Sequence, residues 1–237
     1  RKMINTLIID DERLARVELT QLLRSFPQIN IIGEAVNGND AVEKIELLKP
    51  DLVFLDIEMP GKTGFEVLES LSVVPQIIFV TAFDEFAIKA FETNALDYVL
   101  KPVVTERLEK AINKVMEKQA EVSNERLNKD AQIFIKDGEK CWFVKLEKVR
   151  LFESEGNYVR LYFDENKPLI LKSLNNLEQR LNEKQFFRVS RKYIINLSCV
   201  TKVDPWFNNG LRVTLNSGEQ IEISRRQSLR FKELMAL

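Results

Sequence analysis

Four short apolar runs, each ending abruptly in a polar side chain, constrain the first half of this chain more than any other feature. Leu52-Val-Phe-Leu55 runs into Asp56 and then Met59-Pro60-Gly61. Leu7-Ile-Ile9 ends at Asp10-Asp11-Glu12, Ile77 to Val80 ends at Thr81, and Leu96 to Leu100 ends at Lys101-Pro102. Apolar runs of this length, interrupted only at Asp97 in the fourth, are expected of parallel strands buried on both faces. If the four are parallel, Asp10, Asp11, Asp56, Thr81 and Lys101 emerge on one sheet edge, the edge where open α/β sheets bind ligands. Taken singly, each residue has a plainer reading. Asp10 and Asp11 suit helix caps, Thr81 suits a strand, Tyr98 suits the core and Lys101 suits a solvated surface.

Between these runs the apolar period changes to that of helices. The spacing predicts strands over Ile4–Ile9, Ile29–Ala35, Leu52–Leu55, Gln76–Val80 and Ala95–Val99. It predicts helices over Glu12–Phe26, with Leu14, Val17, Leu22 and Leu23 on the apolar side, and over Asn39–Leu48, Thr63–Leu71, Glu85–Glu92 and Val104 to about Glu121. Five βα units form a doubly wound five-stranded parallel sheet with right-handed crossovers. In a 2-1-3-4-5 strand order, Asp10 and Asp56 meet at the switch point.

Composition bounds the alternatives. The chain has 237 residues, 45% hydrophobic and 30% charged, and no histidine. The lack of histidine excludes histidine-dependent triads, histidine metal sites and an internal phosphohistidine. No stretch approaches the ~18 apolar residues of a membrane span, and no export signal opens the chain, so a cytoplasmic location without membrane contact is expected. Cys141 and Cys199 lack metal-ligand spacing and sit in apolar runs, as buried free thiols do. The net charge of -1 hides a split. Residues 1–121 carry 14 basic and 21 acidic side chains, a net -7, whereas residues 122–237 carry 21 and 15, a net +6. Two domains with different partners are expected, the second with the electrostatic footprint of a phosphate-backbone binder.

The crowded carboxylates of Asp10, Asp11 and Asp56 call for a cation, and oxygen-only ligands suit Mg²⁺. Asp56 so placed is a candidate nucleophile toward a phosphoryl donor. Mg²⁺ and Lys101 would supply positive charge to the transferring group, and Thr81 a hydroxyl donor. Asp10-Asp11, Asp56 with Met59-Pro60-Gly61, Thr81-Ala82 and Tyr98-Val-Leu-Lys101-Pro102 together resemble the receiver domain of two-component response regulators, over residues 3–118. The resemblance implies that a sensor histidine kinase phosphorylates Asp56. It implies that Asp11, Asp56 and the Glu58 backbone carbonyl ligate Mg²⁺, with Asp10 acting through water. Thr81 and Tyr98 would couple phosphorylation to a dimerising face, and the Lys101-Pro102 bond would be cis. Glu58 and Phe83 flank the pocket.

Residues 119–130 are polar and lack Gly and Pro, which fits either a helix extension or a flexible linker. Beyond them the period becomes 2. Strand-like stretches at 133–135, 141–144, 149–153, 157–163, 169–171, 186–189, 199–206, 211–215 and 220–223 are separated by turn signals such as Asp137-Gly138 and Asn216-Ser-Gly218. Short helices are expected at Ser173–Leu181 and from about Arg226. No helix-turn-helix pattern or zinc spacing is present. Phe152-Glu-Ser154, Gly156-Asn-Tyr-Val-Arg160, Phe186-Phe-Arg188-Val-Ser-Arg191, Ile195-Asn-Leu197 and Ile223-Ser-Arg-Arg226 resemble the LytTR-type DNA-binding domain, over residues 131–237. That resemblance implies a β-rich fold that enters major grooves with loops. Base contacts would come from Asn157, Tyr158, Arg191, Lys192 and Arg226, and phosphate contacts from Arg188 and Arg225. Ser190-Arg191-Lys192 departs from the family's usual His-Arg-Ser, which bears on base preference.

The combined expectation is a DNA-binding response regulator that dimerises on phosphorylation and controls transcription from promoter repeats. It would promote its own dephosphorylation without turning over an external substrate. Two other classes fit parts of the pattern. An Asp-nucleophile phosphatase would need a second Asp where Glu58 stands, and a protein-binding β module would bind in a salt-insensitive way.

Overall fold

The computed structural model describes residues 3–82, 97–122, 131–138 and 140–236. The helix predicted at 85–92 and Phe83 lie outside the described residues. By contacts the chain forms two compact units, residues 1–144 and 145–237.

In the first unit, β1 (Ile4–Ile9), β2 (Ile29–Ala35), β3 (Leu52–Leu55), β4 (Gln76–Thr81) and β5 (Asp97–Leu100) form a parallel sheet in the expected order β2-β1-β3-β4-β5. Side-chain alternation divides each strand between two layers. Ile4, Ile8, Phe54, Ile78 and Val80 face one core, with Leu19 and Leu23 of α1 (Arg13–Leu23) and Leu108, Ile112 and Val115 of α4 (Thr105–Val122). Leu7, Ile9, Val53, Leu55 and Phe79 face the other, with Ala41 and Ile45 of α2 (Gly38–Leu48) and Phe65, Val67 and Leu68 of α3 (Gly64–Ser70). Thr63 starts α3 with a reciprocal capping box to Glu66, which satisfies two otherwise unpaired backbone donors. α4 continues to Val122, so the first residues of the expected linker are helical.

One local reading is corrected. On α1 the buried side chains are Arg16, Leu19 and Leu23, whereas Leu14 and Val17 are exposed. The helix is rotated because Arg16 reaches inward to backbone carbonyls. The β6–β7 hairpin, β6 (Gln132–Asp137) and β7 (Lys140–Lys145), packs with the first unit. Phe134 lies 6.0 Å from Phe65, Phe143 lies 6.3 Å from Phe79, and the Val74 amide donates to the Gln132 carbonyl at 2.8 Å. Cys141 is buried there as a free thiol, pushed up to about 12 by burial.

The second unit holds a five-stranded sheet, β10-β9-β8-β12-β11, and a three-stranded sheet, β13-β14-β15. The first comprises β8 (Leu151–Glu155), β9 (Tyr158–Tyr162), β10 (Leu169–Ile170), β11 (Phe186–Arg188) and β12 (Tyr193–Asn196). The second comprises β13 (Val200–Trp206), β14 (Gly210–Leu215) and β15 (Gln220–Ile223). α5 (Leu174–Glu178) and α6 (Arg225–Met235) complete the unit. Phe187, Ile195, Val213 and Ile223 pack with Phe231 of α6, which is fully buried. Asn196 donates to the Glu147 and Val149 carbonyls and accepts from Ser198, so its buried amide is satisfied. Cys199 is a second buried free thiol.

Candidate functional site

At the carboxyl ends of β1 and β3, neighbouring strands place two buried carboxylates side by side. The Asp10 amide donates to Ala35 and the Asp56 amide donates to Ile9, so both backbones continue the sheet ladder just past the strands. Carboxylate oxygens of Asp10, Asp11 and Asp56 all lie within 4.8 Å of one another. Lys101, just beyond β5, bridges two of them, with Nζ 2.8 Å from Asp10 and 2.9 Å from Asp56. Its peptide bond to Pro102 is cis, as expected, and its amide donates to the Thr81 carbonyl. Thr81 is fully buried at the end of β4. The structure therefore brings Asp10, Asp11, Asp56 and Lys101 into one pocket at the edge that also carries Thr81.

Electrostatics follow from burial and pairing. Burial raises the Asp10 carboxyl, against the opposing pull of Lys101 and the Glu12 amide. Burial alone would lower Lys101, but its bonds to Asp10 and Asp56 override this and raise it. Three carboxylates and one ammonium leave a negative, oxygen-only donor set, the kind that suits a hard divalent cation. Neither Asp10 nor Asp11 is the cap residue of α1. Glu12 holds that position, and Asp10 accepts from the Glu12 amide at 2.9 Å as well as from Lys101. Glu58 is exposed, and its amide donates to Asp56 at 3.3 Å. Tyr98 is half-buried against the α2–α3 side core, with the Arg107 guanidinium 5.3 Å from its ring.

The expected DNA-facing residues fall on two places in the second unit. Asn157 and Tyr158 are exposed at the tight β8–β9 turn, where Gly156 has φ +64. A left-handed residue at the first position matches the twist of a two-residue hairpin. Lys192, in the β11–β12 turn, pairs with Glu153 at 3.0 Å, and this bond raises it. Arg188, Arg191, Arg225 and Arg226 line a single groove of about 880 Å³. Arg191, Arg225 and Arg226 are exposed, whereas Arg188 donates to the Ser190 and Arg191 carbonyls and to Glu178. Arg188 thus holds the turn that presents Arg191.

Residues 6–113 match the family described as response regulator receiver domain, and residues 124–236 match the LytTr DNA-binding domain. The chain is 34% identical over 241 residues to the sensory transduction protein LytT of Enterococcus faecalis, covering 99% of this chain and all of that protein. It is 34% identical to an uncharacterized response regulatory protein of Vibrio cholerae, covering 98% of this chain and 99% of that one. It is 33% identical to the transcriptional regulatory protein LytR of Staphylococcus aureus, covering 99% of this chain and all of that protein. The chain belongs to the LytTr response regulators.

In a LytTr response regulator the receiver domain implies a histidine kinase as partner, and the second domain implies binding to DNA. Among the described residues no helix is long and apolar enough to cross a membrane. Two residues that shape this regulator's acidic pocket were not evident from the sequence. Arg16 donates to the carbonyls of Asp10 and Asp11 at 2.9 and 3.3 Å and pairs with Glu34 at 2.9 Å, fixing the backbone that carries both carboxylates. An arginine at a buried helical position is the signal, visible once the helix face is known. Gly64 leaves room for the Asp56 loop, since a Cβ there would lie 2.4 Å from the Asp56 carbonyl oxygen.

Proposed function

We propose that this response regulator accepts a phosphoryl group on Asp56 from a histidine kinase and, in that state, dimerises and controls transcription at repeated promoter sites. The observation that carries the reading is the bridged carboxylate cluster, with Lys101 bonded to both Asp10 and Asp56. A carboxylate oxygen of Asp56 forms the new O–P bond as the donor's N–P bond breaks, and the donor histidine lies in the partner because this chain has none. Lys101 neutralises a phosphoryl oxygen. Thr81 turns its hydroxyl to another, and Tyr98 follows that movement. Asp10, Asp11, Asp56 and the Glu58 carbonyl would hold Mg²⁺, which when bound supplies charge neutralisation to the carboxylates and the phosphoryl oxygens. Water later releases phosphate from Asp56, and no external substrate is turned over.

Residues 3–118 form the receiver, 119–130 the linker and 131–237 the DNA-binding domain in this reading. Asn157, Tyr158, Arg191, Lys192 and Arg226 face base edges, and Arg188 and Arg225 serve the phosphate side. Dimerisation raises affinity for repeated sites through effective concentration.

The test is binding of the full chain to the DNA upstream of its own gene, across a salt series, with and without acetyl phosphate. The expected result is a log–log salt slope of about 0.9 per phosphate neutralised and tighter binding after phosphorylation. Binding that is absent, or unaffected by salt, would overturn the DNA half.

A further inference from the structure

We propose that Phe207, on the turn between β13 and β14, is an additional DNA-contacting residue that packs its ring on a thymine methyl in the groove entered by Arg191 and Arg226. The inference rests on the DNA-binding reading above. Phe207 is 76% exposed, and among the described residues no other phenylalanine or tryptophan is exposed. Its outer face, beyond the edge-on contact with Trp206, lies in water beside the arginines, where it can serve a contact outside the chain. It lines the same groove as the four arginines. Two acids, Glu178 and Glu222, also line that groove, and Glu178 is engaged by Arg188.

The turn is built to hold the ring still. Asn208 and Asn209 adopt left-handed conformations, with φ 54 and 60. These are tolerated by Asn better than by most residues. Gly210 permits the close return of the chain, because a Cβ there would lie 2.6 Å from the Ile223 carbonyl oxygen and 3.1 Å from that of Phe207. Trp206 is held by Arg212, whose guanidinium carbon sits 3.7 Å from its ring centroid. The Phe207 ring in turn meets Trp206 edge-on at 4.8 Å. A preorganised ring loses little freedom on binding.

The surrounding charge selects the occupant. An apolar protein partner would have to desolvate three exposed arginines, whereas a DNA duplex pairs them with phosphates and base edges. Within the major groove, the thymine methyl is the apolar feature that a phenyl ring can read.

The experiment selects duplexes from a random pool with the full phosphorylated chain. It then compares wild type, F207A, F207L and R225A on the selected duplex and on copies with single thymines replaced by uracil. F207A is expected to bind about tenfold more weakly, the scale of one base-pair discrimination, with an unchanged salt slope, while F207L recovers part of the loss. One uracil position should weaken wild type but leave F207A unaffected. R225A should lower the slope. Equal binding by F207A and wild type overturns this inference and leaves the DNA reading intact. A loss in F207A without any uracil-sensitive thymine also overturns it, and indicates a contact between protein copies. Failure of the wild type to enrich any duplex overturns both.

Discussion

Replacing Lys101 with Met removes a cation that bonds to both buried carboxylates, the only one among the described residues. Within 4.8 Å of one another and at an effective dielectric of about 20, each carboxylate pair repels by at least about 3.5 kcal/mol, and each lysine bond near 2.9 Å offsets about 6 kcal/mol. Desolvation cancels much of this gross gain, and breaking a buried pair costs about 3–5 kcal/mol in practice. Because the Lys101 side chain is 17% exposed, the lower end, about 3 kcal/mol at pH 7, is expected. The pH dependence is diagnostic. Lys101 is raised above its ordinary 10.5, so its contribution is complete below that value and fades only as pH rises through the raised value. In K101M, Asp10, already raised above 3.8 by burial, loses its opposing cation and rises further. A carboxyl raised by folding takes up protons before the unfolded chain does, so the variant regains stability as pH falls from 7 toward 4. Urea unfolding of both proteins across that range, followed by a receiver-domain probe, measures the difference. A deficit below about 1 kcal/mol at pH 7, or one that widens on acidification, would refute the electrostatic account.

Other consequences follow from packing and pairing. F143A should cost the first unit about 3–5 kcal/mol, read by denaturation, because Phe143 is buried against Phe79 and Phe134. A neutral result would mean the hairpin does not share that core. Asp97 is lowered because its bonds to Arg107 and Lys114 outweigh the upward push of burial. Its contribution is therefore present above about pH 4 and lost as pH falls through its folded value. The melting temperature of D97N should lie below wild type at pH 7, and the gap should close below pH 4. G64A forces the Asp56 backbone to shift. It should lose about 2 kcal/mol of stability and slow labelling of Asp56 by acetyl phosphate, whereas wild-type labelling rates would contradict the close approach.

The strand order and the shared edge of Asp10, Asp56 and Lys101 were legible because parallel strands buried on both faces appear as apolar runs, and a run's end marks the sheet edge. Periodicity misassigned α1 because it scores an arginine as solvent-facing, whereas Arg16 turns inward to two carbonyls. The β6–β7 hairpin was legible as alternating strands around Asp137-Gly138. What covers its apolar side was not, since alternation defines a face and not its partner. The groove holding Arg188, Arg191, Arg225 and Arg226 joins residues dozens of positions apart, and only the paired strands bring them together. Arg188 also shows how a matched motif position can serve the turn itself, because its bonds to Ser190 and Arg191 are internal to the loop.

The most direct test exposes the full chain and its D56N variant to acetyl phosphate with Mg²⁺ and follows intact mass. The account predicts one phosphoryl group on wild type, none on D56N, and none on wild type when the metal is chelated. A label retained by D56N, or placed by peptide mapping on any other side chain, would contradict it.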